Sequence, residues 1–115
     1  MLKDEIRRAV YERDGRCLVC GKFVTYESMH PHHIQTRGSG GGDTEDNLIC
    51  LCGRCHDRVH YSYLTLDGEE YEVTSGVLRA LLLLVHGIDA GPETQEIATA
   101  EKLLARYSLE VGWVF

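Results

Sequence analysis

Two Cys-x-x-Cys pairs, Cys17-Leu18-Val19-Cys20 and Cys52-Gly53-Arg54-Cys55, constrain this chain more than any other feature. Four thiolates at such spacings can close a tetrahedral site around a structural zinc with no coordination position left open, so two distant segments share one ion. Gly21 after the first pair permits the tight turn of a zinc knuckle. The fifth cysteine, Cys50, is read as a small buried hydrophobe, although Cys50-x-Cys52 leaves open which sulfur completes the second pair. The opening residues, Met1 to Arg8, mix charges with isolated apolar side chains and lack the apolar run of a signal peptide. The expectation is therefore an intracellular, cytoplasmic chain whose cysteines stay reduced and serve as metal ligands instead of disulfides.

The rest of the chain supplies elements for one small α+β domain. At 115 residues, 43% hydrophobic and 26% charged, it is sized for one main core. Lys3 to Arg13 carries apolar residues at helical spacing, with Asp14-Gly15 as a stop. His30-Pro31-His32-His33-Ile34 reads as extended, and a glycine-rich loop from Thr36 to Asp43 joins it to a short strand over Asn47 to Leu51. Arg54 to Tyr61 has helical spacing, which gives a β, β, α unit. Tyr63–Leu66 and Glu70–Val73 flank Asp67-Gly68, a hairpin turn signal. Ser75 to His86, closed by Gly87, and Pro92 to Tyr107 read as two further helices, while the tail from Leu109, with Trp113, reads as a docked strand or a loosely packed end. The expected division is residues 1–62 as the core with the metal sites and 63–115 as an acidic extension packed on or beside it. The apolar stretch Val77 to Val85 is about half of what a bilayer crossing needs, so no membrane role is expected.

The histidines suggest a second metal. His56 and His60 are four residues apart on the predicted helix and can share an ion, whereas Cys55 is rotated by about 100° from His56. One helix can thus serve two sites. His32 would complete a three-ligand set with positions left for water and phosphate, the layout of a catalytic centre. His33 beside it is the candidate general base, histidine being the side chain that exchanges protons near neutrality. A regular strand would send His32 and His33 to opposite faces, so either the ion sits at the strand edge or the backbone is irregular there. His30 is read as structural or exposed, and His86 as a helix-end residue.

Taken together, Arg13-Asp14-Gly15-x-Cys17-x-x-Cys20-Gly21, His32-His33-Ile34, Arg37-x-x-Gly40-Gly41, Asn47-Leu48-x-x-Leu51-Cys52-x-x-Cys55-His56 and His60 resemble the HNH endonucleases of the ββα-metal type, in the variety stapled by two Cys-x-x-Cys pairs. The resemblance runs from about Arg8 to His60. It implies that His33 is the first H and general base, that Asn47 is the N, holding the loop and orienting the base, and that His56 is the second H and a metal ligand, with His32 a ligand too. It also implies DNA as substrate and products with 5′-phosphate and 3′-hydroxyl ends. Many relatives of this variety carry Asp where this chain has His32, and His60 is less uniform among them. An all-imidazole set shifts preference from Mg²⁺ toward Zn²⁺, Ni²⁺, Co²⁺ or Mn²⁺.

Charge is distributed unevenly. Residues 1–60 hold nine basic and nine acidic side chains, and residues 61–115 hold three against nine, so the net charge of -6 lies in the second half. A polyanion would meet the first half, leaving the acidic half to face away or toward a protein partner such as a phage machine. Arg37 in the glycine-rich loop is the candidate phosphate contact, with Arg54 and Arg58 behind it. No basic recognition helix is apparent, so a low-specificity nicking activity is expected from a monomer or weak dimer, in a phage or mobile-element setting. The alternative is a catalytically silent zinc-stapled module that binds nucleic acid or protein within a larger complex.

Overall fold

A computed structural model describes residues 2–111, with side chains described through Tyr107. The chain runs through α1 (Asp4–Asp14), β1 (His30–His33), β2 (Leu48–Leu51), α2 (Gly53–Val59), β3 (Tyr63–Leu66), β4 (Glu69–Glu72), α3 (Ser75–His86) and α4 (Thr94–Val111), with 3-10 turns at Arg37–Ser39 and Glu45–Asn47. The fold is α+β, as the alternation of short strands and helical segments implied.

β1 and β2 form an antiparallel ribbon that pairs His30 with Leu51, Pro31 with Cys50, His32 with Ile49 and His33 with Leu48. All four residues of β2 are buried, whereas β1 is exposed to half-buried, so β2 is the inner strand and β1 presents its histidines outward. The α1 helix braces this ribbon from behind. Arg13 donates to the carbonyls of Glu45 and Leu48, and the Asp14 carboxylate accepts the N–H of Cys50 at 2.9 Å. The Arg13-Asp14-Gly15 motif therefore ties the helix end to β2 as well as stopping the helix.

The second half closes the same core. β3 and β4 pair across Asp67 and Gly68, both with positive φ, as the hairpin signal required; the second strand starts one residue earlier than its side-chain pattern suggested. Thr74 caps α3 by accepting the Val77 N–H, and Val77, Leu78, Ala80, Leu81 and Leu82 are buried. They pack in one cluster with Val10, Leu18 and Ile49 from the first half and with Leu103 and Tyr107 from α4. The apolar face of α3 is thus largely occupied by the chain's own core. α4 extends beyond the expected end, through the start of the segment read as a tail; Trp113 lies outside the described residues. Among the described residues, no helix is long and apolar enough to cross a membrane.

Candidate metal centres and catalytic cleft

The first Cys-x-x-Cys pair sits in a small knuckle. The Cys17 N–H donates to the Lys22 carbonyl, the Gly21 N–H donates to the Cys17 carbonyl at 2.8 Å, and Arg16 bridges to Phe23 across the turn. Gly21 has φ +82, and a Cβ there would lie 2.3 Å from the buried Tyr107 ring, so both conformation and space demand glycine. Tyr107 in turn donates its hydroxyl to the Leu18 carbonyl at 3.0 Å. The second pair begins α2, where the Cys52 sulfur caps the helix by accepting the Cys55 N–H. The Sγ atoms of Cys17, Cys20, Cys52 and Cys55 all lie within 4.8 Å of one another.

The Cys20 and Cys52 sulfurs are 3.8 Å apart. A tetrahedron with metal–sulfur bonds of about 2.3 Å has edges of about 3.8 Å, so the donor set fits zinc in geometry as well as chemistry. Burial raises the Cys17 thiol well above its ordinary value, while hydrogen bonding from Cys17 helps to lower Cys20 to about 7. Four sulfurs this close favour a dication that takes the place of their protons. Cys50 stands outside the set. It is fully buried in β2, with its thiol pushed up to about 12 by burial and by the Asp14 carboxylate, and so remains a protonated core side chain.

On the other side of α2 the histidines converge. His32, His56 and His60 each offer a ring nitrogen, and these atoms also lie within 4.8 Å of one another. Their rings meet edge to face, at 72° to 75° and with centroids 5.1 to 5.6 Å apart. Burial, followed by the neighbouring His56 and His60, depresses His32 to about 4, and burial also lowers His56. Both stay neutral near pH 7, the form that binds a cation. The helix ends at Val59, short of the expected Tyr61, because Ser62 turns to positive φ; His60 caps it with a helical backbone and keeps the four-residue spacing. His30 is exposed and stacks on His56 at 5.0 Å. His86 ends α3, with Nε2 2.7 Å from Asp14 Oδ1.

His32 and His33 line one cleft of about 270 Å³ with Thr36, Arg37, His56 and His60. The strand alternation is reconciled at the end of β1: His32 meets α2, while His33 Nε2 lies 2.7 Å from Asp43 Oδ1 in the glycine-rich loop. Asn47 falls in the turn before β2 instead of in the strand. Its amide accepts the Gln35 N–H at 2.8 Å and donates to the carbonyls of Gln35 and Gly42, each at 3.0 Å. A Cβ at Gly41 would lie 1.9 Å from the Gln35 carbonyl oxygen, so the loop can close over Asn47 only with glycine there. Arg37 lines the cleft but pairs with Asp43 through Nε and a terminal nitrogen at 3.1 and 3.0 Å. Arg54 and Arg58 line a separate cleft beside Tyr63 and Thr65, and Arg54 donates to the Thr65 carbonyl.

Two carboxylates escaped the sequence reading. Asp43 carried no signal beyond its place in a polar loop, and Asp14 passed for a helix-stop residue. Burial by itself would raise the Asp14 carboxyl, but the bonds from His86, Arg13 and the Cys50 N–H outweigh it and hold it below its ordinary value.

Residues 17–62, which contain both clusters, match the model of the HNH endonuclease family. Over 54 residues, 42% of this chain, it is 39% identical to the type IV methyl-directed restriction enzyme EcoKMcrA of Escherichia coli. Over 50 residues, 43% of this chain, it is 32% identical to the CRISPR-associated endonuclease Cas9 of Corynebacterium diphtheriae. These stretches span 20% and 5% of the two relatives' lengths, so the likeness is confined to one segment of each and does not extend to the whole proteins. No solved structure gives a significant match.

Proposed function

We propose that the chain is a metal-dependent endonuclease that hydrolyses phosphodiester bonds in DNA, with residues 1–62 as its nuclease core and 63–115 as an acidic extension. The observation that carries this reading is the meeting of His32, His56 and His60 in one open cleft with His33 beside them. Three imidazoles with room for further ligands make a catalytic donor set, unlike the closed four-sulfur site.

His33 takes a proton from the water that attacks phosphorus. His32, His56 and His60 would hold one divalent cation, which when bound neutralises charge on the phosphate and on the departing 3′ oxygen. The imidazole set favours Zn²⁺, Ni²⁺, Co²⁺ or Mn²⁺ over Mg²⁺. Cys17, Cys20, Cys52 and Cys55 hold a structural Zn²⁺ that fixes α2 against the knuckle. Asn47 pins the loop that faces the base, and Arg37 meets a DNA phosphate by exchanging its carboxylate partner for it. A single centre cuts one strand at a time, so nicking with low sequence specificity is the expected outcome.

Supercoiled plasmid tests this directly. The protein is expected to yield open-circle DNA only with added metal, and His33→Ala to yield none. If the protein fails to cut with any of Mg²⁺, Mn²⁺, Co²⁺, Ni²⁺ or Zn²⁺ while folded, it is a binding module and the nuclease reading is wrong.

A further inference from the structure

Asn47 spends its hydrogen bonds on Gln35 and Gly42, whereas the group bonded to His33 is the carboxylate of the next residue along that loop, Asp43. Asp43 is itself held from the other side by the Arg37 fork. The side chains of His33 and Asp43 are 20% and 34% exposed, so their bond lies at the cleft wall and is partly shielded from water. An ionised carboxylate only accepts hydrogen bonds, and the bond to His33, aided by Arg37, keeps Asp43 ionised below the ordinary carboxylate range. The proton of a neutral His33 must then sit on Nε2, which leaves the lone pair on Nδ1.

We propose that Asp43 is the positioning residue for His33: it fixes the Nε2–H tautomer, leaves Nδ1 as the atom that accepts the proton, and passes the hold of Asn47 on the loop to the imidazole. The inference rests on the reading of His33 as general base. In the step it describes, a proton of the attacking water moves to Nδ1 as the water oxygen bonds to phosphorus. The bond from phosphorus to the 3′ oxygen breaks, and that oxygen leaves with the electron pair and is protonated by solvent water. The imidazolium so formed keeps its Nε2–H against Asp43, whose charge stabilises it. Asn47 thereby orients the base at one remove, through a loop that closes only because residue 41 is glycine.

Two measurements on the zinc-loaded full chain test this. Long-range ¹H–¹⁵N correlation of the imidazoles is expected to show His33 as the Nε2–H tautomer, and Asp43→Ala to give a mixture of both. In plasmid cleavage, Asp43→Ala is expected to lower kcat by about 10- to 100-fold, the range for partners that orient a metal-site histidine. KM for DNA should not rise, and the metal concentration for half-maximal rate should stay unchanged. Asp43→Glu, which keeps the carboxylate, is expected to recover part of the rate, whereas Asp43→Asn, which loses the charge and can donate its amide N–H to the imidazole, is not. An Nδ1–H tautomer in the unaltered protein, or a kcat for Asp43→Ala within twofold of it, overturns the proposal. A raised metal requirement makes Asp43 a cation ligand and overturns it equally. The tautomer measurement needs no turnover, so it decides this inference even if the protein proves unable to cut, an outcome that would sink only the nuclease reading.

Discussion

Cys55 and His56 are adjacent in sequence, yet they serve clusters that differ in nearly every physical respect. The four sulfurs form a mostly buried set, enclosed by the knuckle, the start of α2 and the Tyr107 ring. The three imidazoles sit half-buried to exposed on the wall of an open cleft. A rotation of about 100° along the helix separates the two environments. A closed thiolate site stabilises a fold but leaves no position for a substrate, whereas an open imidazole site can act on one while contributing little to folding. The seven-residue α2 carries donors of both clusters, and a helix this short is marginal alone, so on the proposed reading an ion held by the sulfurs would anchor it.

Removing the sulfur site should have the largest effect. Cys55→Ser, or exhaustive chelation, is expected to abolish the cooperative thermal melt seen by circular dichroism. A structural zinc supplies about 10 to 16 kcal/mol in small zinc domains, as much as the whole stability of an ordinary domain. A chain that melts normally without metal would reduce the cysteines to ordinary core residues.

Asp14 belongs to neither cluster and ties α1, β2 and α3 together, so its removal should damage the frame and not the chemistry. Asp14→Ala is expected to cost about 3 kcal/mol in urea unfolding at pH 7, the scale for breaking one side of a buried charged network. The sign of its pH dependence follows from the direction of its shift. The folded carboxyl lies below its ordinary value of 3.8, so its contribution is complete above about pH 4 and is lost as pH falls through the folded value. The substituted protein should show a correspondingly flatter acid limb.

His56→Ala tests the other side. Losing a ligand of the open site is expected to lower cleavage by more than about 100-fold, beyond the loss from an outer partner, while the melt stays cooperative. If the melt were lost as in Cys55→Ser, the two clusters would not be separable in their roles. The smallest effect belongs to Arg37→Ala, expected to weaken DNA binding uniformly across sequences and to reduce the salt slope by about 1 while cleavage persists.

How much of this was legible in the chain itself depends on how local each cause is. The knuckle, the hairpin at Asp67-Gly68 and the caps of α3 follow from residues within a few positions of each other, and the structure has them where those residues stand. The convergence of His56 and His60 is equally local, a consequence of helical spacing. Element ends fared less well: α2 stops early at the turn through Ser62, and α4 runs past Tyr107, because packing and backbone turns override side-chain periodicity there.

By itself, then, the sequence determined which donors exist, in what order and at what spacing, and so the two clusters of candidate ligands and the class of fold that unites them. Only the tertiary structure decided what lies against those donors. It brings Asp43 to His33 across the glycine-rich loop, Arg37 to Asp43, His86 to Asp14 across most of the chain, and Tyr107 to the knuckle. The physical reason is that metal ligation and turn formation leave short-range signatures of residue type, whereas a carboxylate in a polar loop or a tyrosine on an amphipathic helix gains its role from a partner that chain folding delivers.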